Sequence, residues 1–232
     1  MEISSSSTVG EMAAQEYKAL KLYKELGIEF CCGGGRNLIE VLGEKGVAPE
    51  AFAERLEALK RDSGPGEHPD FLAMTPEALA DYIVEKHHRY LWEALPAINA
   101  LFTKVLGVHG AHHPELFRVF KLFGQLKTDL EQHLVKEETM LFPRIAELRD
   151  SDDVRRLAEE IREEHETAGD LLEDIRAANR DYALPDDACA SFTKLYTDLQ
   201  AVEDDIHEHI HLENNILLRD TGPLESCPIN PA

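Results

Sequence analysis

Apolar residues return every three or four positions along most of the chain beyond residue 75, and each such stretch is fenced by proline or glycine. At about 100° per residue this spacing keeps one face apolar, so the pattern predicts long amphipathic helices. They are expected over 76–106, opened by Thr75 and Pro76 and closed by Gly107, over 114–148 after Pro114, over 152–180, and over 186–219 after Pro185. Helices of about 30 residues joined by short breaks predict an up-down-up-down four-helix bundle. Shorter periodic segments precede them: 10–26 ending at Gly27, 36–45 ending at Gly46, and 49–61 opening at Pro49. No period-two alternation stands out, so the expected fold class is all-α. The turn-rich run from Asp62 to Asp70 divides the chain into a small helical domain, 1–66, and the bundle, 67–232.

The formal charge of −21 changes the picture by excluding a class of partner, because a phosphate backbone would be repelled; no nucleic acid is expected. Residues 1–66 hold 8 basic and 11 acidic groups against 16 and 34 beyond, so the acid excess belongs to the bundle. No apolar run approaches the ~18 residues of a membrane helix, and the serine-rich start lacks a signal pattern, so a cytoplasmic protein without a membrane partner is expected. The four cysteines, at 31, 32, 189 and 227, do not form the spaced pairs of a disulfide framework. Eleven histidines among many carboxylates are the ligand types of iron, manganese or zinc.

Placing each histidine against the apolar stripe of its own helix narrows the candidates. In the last helix the stripe runs through Phe192, Leu195, Leu199, Val202, Ile206, Ile210, Ile216 and Leu217 and includes His209 and Glu213, whereas His207 and His211 point away. In the second it runs through Leu116, Val119, Phe123, Leu126, Leu130, Met140 and Leu141 and includes His133 and Glu137. Residues i and i+4 share one face, so each His-x3-Glu pair offers an imidazole and a carboxylate to one site. The first helix (Val84, Leu91, Trp92, Leu95, Phe102) includes His88 more nearly than His87, and the third (Val154, Ala158, Ile161, Ala168, Leu172, Ile175) includes His165. At ~1.5 Å per residue in an alternating bundle, the four histidines fall at levels that agree to within about two turns. Four imidazoles and two carboxylates exceed one tetrahedral zinc, and two metals bridged by Glu137 and Glu213 use the set economically. His109, 21 residues past His88 and so on the order of 30 Å away, is excluded as a direct ligand. His68, His112 and His113 are expected to be solvated, and Cys189 and Cys227 to have no ligand partner nearby.

The strings that carry these residues resemble the RIC (repair of iron centres) family. They are Glu29-Phe30-Cys31-Cys32-Gly33-Gly34, His87-His88-x-Tyr90-Leu91 before Leu95-Pro96, Val108-His109-Gly110, His133-x3-Glu137-Glu138, Glu164-His165-Glu166-x-Ala168-Gly169, and His209-x-His211-Leu212-Glu213-Asn214-Asn215. Leu218-Arg219 departs from the family's Phe-Pro-Arg. The resemblance implies a small Cys-Cys domain before a hemerythrin-like bundle with an oxo- or hydroxo-bridged and carboxylate-bridged centre of two iron ions. His88 and His209 would hold one iron, His133 and His165 the other, and Glu137 and Glu213 would bridge. It further implies repair of iron-sulfur clusters damaged by nitric oxide or oxidants through iron donation, with damaged iron-sulfur proteins as partners and nitric oxide or dioxygen as small ligands. Oxygen-carrying hemerythrins place a further histidine where this chain has Gly169. Cys31 and Cys32 are read as thiols that pass iron or nitric oxide equivalents, with packed or dimer-contacting cysteines as the alternative, and a homodimer remains open. Two other functions are weighed, reductive coupling of nitric oxide to nitrous oxide and a hemerythrin-like oxygen or iron sensor.

Overall fold

The computed structural model describes residues 3–62, 69–148, 151–219 and 221. The turn cluster at 63–68, with His68, and Cys227 lie outside them. The chain forms two compact units, Met1–Leu79 with Ile210–Ala232, and Ala80–His209.

Four short helices open the first unit: α1 (Val9–Gln15), α2 (Ala19–Leu26), α3 (Leu38–Glu44) and α4 (Pro49–Asp62). Local chemistry starts them. Thr8 and Glu11 make a reciprocal capping box on α1, and Asn37 accepts from the N–H groups of Ile39 and Glu40 at the head of α3. Val9, Met12, Leu22, Tyr23, Leu38, Leu42, Phe52 and Leu56 form the core. The single helix expected over 10–26 is two, broken at 16–18 without glycine or proline. The break is tertiary in origin: Glu16 pairs with Lys60 at 2.9 Å, and the Tyr17 ring sits 5.5 Å from Phe71. Asn214 and Asn215, from the end of the chain's last helix, donate to the carbonyls of Cys31 and Phe30.

The second unit is built by α5 (Pro76–His109), α6 (115–148), α7 (Asp152–Ala178) and α8 (190–217), whose last turns belong to the first unit. Phe102, Phe123, Ile161 and Phe192, one from each helix, are buried, as the stripes require. An all-α fold with a four-helix bundle is therefore borne out. Among the described residues there is no strand, only an isolated bridge between Thr8 and Asn37. One expectation is corrected: α5 is long and apolar enough, by length and composition alone, to cross a membrane. Its Leu91, Leu95, Ile98, Phe102 and Val105 are buried inside the protein, which is what the core helix of a bundle also shows.

The periodicity misses a local feature repeated in three helices. α5, α6 and α8 each widen into a π-helical turn, over Val84–His88, Glu137–Leu141 and Glu213–Leu217. A wider turn advances each residue through a smaller angle, so positions assigned at 100° drift off the face. Met140, placed on the stripe, is 45% exposed, while Leu141 is buried. Trp92, also placed on its stripe, is 38% exposed, and His87 is buried along with His88.

Candidate metal centre

The second unit brings His88, His133, His165, His209 and Glu137 together in its interior, each with no more than 4% of its surface exposed. Glu137 occupies the middle. Its Oε2 lies 3.3 Å from Nε2 of His88 and 3.7 Å from Nε2 of His209, and its Oε1 lies 3.3 Å from Nε2 of His133 and 3.9 Å from Nε2 of His165. The histidines pair in the same way: Nε2 of His88 is 3.3 Å from that of His209, and Nε2 of His133 is 3.2 Å from that of His165. Glu213 stands four residues past His209 on α8, at the head of its π turn, and is fully buried.

Outer carboxylates decide what the rings present to the interior. Nδ1 of His88 lies 2.9 Å from Glu138, and Nδ1 of His133 lies 2.8 Å from Glu164. A carboxylate only accepts, so both Nδ1 atoms donate and, in the neutral rings, both Nε2 atoms are left as lone pairs. Those lone pairs converge on other imidazole nitrogens and on the Glu137 oxygens. Toward Glu137 the lone pairs of His88 and His133 meet carboxylate oxygens at 3.3 Å, an arrangement that a cation between them relieves, whereas toward His209 and His165 they can accept from Nε2–H. The spacing also fits, because metal bonds of about 2.1 Å set neighbouring tetrahedral or octahedral donors about 3–3.4 Å apart. Nitrogen and carboxylate donors without sulfur suit iron, manganese or zinc. Burial pushes the Glu164 carboxyl up, but hydrogen bonds from His133 and Lys136 outweigh it and hold it down at about 2.

Glu138, Glu164 and the His87–Asp205 pair touch the clustered histidines and are positions that the stripe reading passes over. His87 Nδ1 lies 3.0 Å from Asp205, and its ring stacks on His209 at 5.7 Å with 9° between planes. Adjacency was the available signal, since Glu138 follows Glu137 and Glu164 precedes His165. Three other expectations are corrected. His211, read as turned away from the stripe and the core, is buried in the first unit, hydrogen-bonded to Asn215 and edge-on to Phe30. His113 is engaged on both ring nitrogens, and Cys189 has a partner in His109, whose Nε2 lies 3.1 Å from its Sγ. A cysteine at a helix start and a histidine at another helix's end meet only through the fold.

In the first unit, Glu29 gathers the loop that carries the adjacent thiols. Its carboxylate accepts from the N–H groups of Cys31 at 2.8 Å and Cys32 at 2.9 Å, and from Gly33. The two sulfurs are 3.9 Å apart. The hydrogen bond with Cys32, together with burial, pushes the Cys31 thiol well up, so Cys31 is a protonated donor to Glu29, and Cys32 is the less buried of the two.

A four-helix bundle enclosing paired histidines about one carboxylate defines a cation-binding helical protein. The chain belongs to the hemerythrin HHE cation binding domain family, whose model matches residues 79–220, more than half its length. Residues 5–60 match a second model, ScdA_N, described as a domain of unknown function. Among curated proteins, the chain is 28% identical to the iron-sulfur cluster repair protein ScdA of Staphylococcus epidermidis, over 94% of this chain and 98% of that one. It is 30% identical to a probable iron-sulfur cluster repair protein of Haemophilus influenzae and 31% identical to the iron-sulfur cluster repair protein YtfE of Citrobacter koseri, each over 90% of this chain and 93% of the relative. The resemblance read from the motifs is thus borne out in both parts of the chain.

Proposed function

We propose that this chain is a di-iron protein that repairs iron-sulfur clusters damaged by nitrosative or oxidative stress, acting as a donor of iron. The observation that carries the reading is the division of the Glu137 carboxylate, one oxygen toward His88 and His209 and the other toward His133 and His165. Two irons would each take one histidine pair and share Glu137. Glu213, one helical turn past His209 and buried, is the natural second bridge. The names of the curated relatives support the repair activity, and they do not favour nitrous oxide formation.

Iron would supply the cargo for a damaged cluster. The chain's own residues hold and orient. Glu138 and Glu164 keep the His88 and His133 rings in the tautomer that faces the metal; both carboxylates are partly exposed, so they link the buried donors to solvent. Nitric oxide or dioxygen would be the small ligands of such a centre. Cys32, more accessible than Cys31, would be the thiol that meets a client iron-sulfur protein or a second copy of the chain.

The test is metal analysis with Mössbauer spectra of anaerobically purified protein. Two coupled irons per chain are expected, falling in Glu137→Leu together with repair of a damaged cluster. One zinc per chain, or full repair with both Glu137 and Glu213 replaced, would overturn the reading. Gas analysis under nitric oxide should yield no stoichiometric nitrous oxide. Replacing Cys31 and Cys32 by serine and finding repair undiminished would remove the thiols from the mechanism.

A further inference from the structure

A second group of metal-ligating side chains lies at the far end of α5 from His88. His109 ends α5 and is buried, and His113 follows it by four residues, just before α6. Asp187 and Cys189 stand immediately ahead of Ala190, where α8 begins. Nε2 of His109 lies 3.1 Å from Sγ of Cys189, and Nε2 of His113 lies 3.0 Å from Oδ1 of Asp187. Ligand atoms of His109, His113 and Asp187 all fall within 4.8 Å of one another. Both imidazoles rest against Phe192, with ring centroids at 5.2 and 5.5 Å, which fixes their planes.

We propose that His109, His113 and Asp187, drawn together within 4.8 Å, form a separate site for one zinc-class divalent ion, with the exposed Cys189 beside His109 turning in from outside that group as the fourth donor. Two imidazole nitrogens, a carboxylate and a thiolate make a tetrahedral donor set that such an ion takes, and the sulfur sets it apart from the buried histidine and carboxylate cluster. With bonds of about 2.0 Å to nitrogen and 2.3 Å to sulfur, the nitrogen-to-sulfur edge of a tetrahedron is about 3.5 Å. The His109–Cys189 separation needs to open by only a few tenths of an ångström to reach it.

Two features around the group prepare it. Nδ1 of His113 lies 3.1 Å from Glu115, so a carboxylate fixes the ring, while Nε2, which donates to Asp187 without metal, would exchange that proton for the ion. This is the device already seen at His88 with Glu138 and at His133 with Glu164. The sulfur is likewise prepared: it stands at the head of α8, where the N–H groups of Phe192 and Ser191 face it, beside the His109 ring. Cys189 and Asp187 are exposed, so an ion has a path in.

The test uses the full chain with Cys31, Cys32 and Cys227 replaced by serine, so that Cys189 is the sole thiol, loaded with iron and then titrated with cobalt(II). One equivalent should give a thiolate-to-cobalt charge-transfer band and tetrahedral ligand-field bands, and one equivalent of zinc should bleach both. Adding Cys189→Ser should abolish the charge-transfer band, and His113→Ala or Asp187→Asn should weaken zinc binding at least 100-fold. His88→Ala with His133→Ala should leave the cobalt spectrum intact, since those residues serve the other cluster. Absence of the thiolate band, its persistence in Cys189→Ser, or zinc affinity unchanged in both His113→Ala and Asp187→Asn would overturn the proposal. Asp187 is 60% exposed, so Asp187→Asn keeps the test valid if His113→Ala fails to fold.

Discussion

At the scale of the residue, tautomer control separates this cluster from a set of histidines that merely share a core. His88 and His133 each give Nδ1–H to a partly exposed carboxylate and turn Nε2 inward. Replacing Glu138 or Glu164 by alanine removes that hold while leaving every buried donor in place. Metal retention against a chelator should then weaken by about 10- to 100-fold. Circular dichroism should be unchanged, because both side chains are partly exposed. Retention at the parent level in both variants would reduce the two carboxylates to surface ion pairs. The inward histidines were legible in the sequence because helical periodicity is a local property. Their outer partners were not, because a half-exposed glutamate beside a ligand looks like any other in a chain with 45 acidic residues.

At the scale of the element, the π turns and the connection between α7 and α8 show what local pattern leaves out. Arg180, Asp181 and Tyr182 all have φ near 56–59°, a left-handed run that costs roughly 1–2 kcal/mol per residue. Its anchor is Glu203, buried on α8, which accepts from Arg176 at 2.6 Å and from the Tyr182 hydroxyl. Arg176→Met strips this carboxylate of its cation. Stability should fall by about 2–3 kcal/mol in urea titrations, below the 3–5 of a fully buried pair because the arginine is 44% exposed. A fall within 0.5 kcal/mol would show that the connection does not depend on the pair. In the first unit, a Cβ on Gly34 would come within 2.0 Å of the Asn215 amide oxygen, whose neighbouring nitrogen holds the thiol loop. Gly34→Ala should therefore destabilise by about 1–3 kcal/mol, read from thermal melts, whereas a Cβ on Gly43 meets nothing within 4 Å and Gly43→Ala should not.

At the scale of the whole molecule, a cation that binds only the folded bundle adds its binding energy to the stability of the fold. At a free metal concentration 100-fold above the dissociation constant this amounts to about 2.7 kcal/mol. Calorimetry of chelator-stripped and reloaded protein should show the melting transition rise on reloading, and an identical transition in both forms would mean that the cluster is not filled. The sequence by itself determined the helices, the inward faces of the bundle and the depth of four histidines, because 3.6-residue periodicity and rise per residue accumulate along one chain without reference to any other part. Tertiary structure decided which histidines face which. It set Glu137 between two pairs, gave His88 and His133 their carboxylates, broke the 10–26 helix at Tyr17 and brought Cys189 to His109. Each of these is a distance between residues far apart in the chain, fixed by how the helices pack, and no periodicity within a single helix carries it.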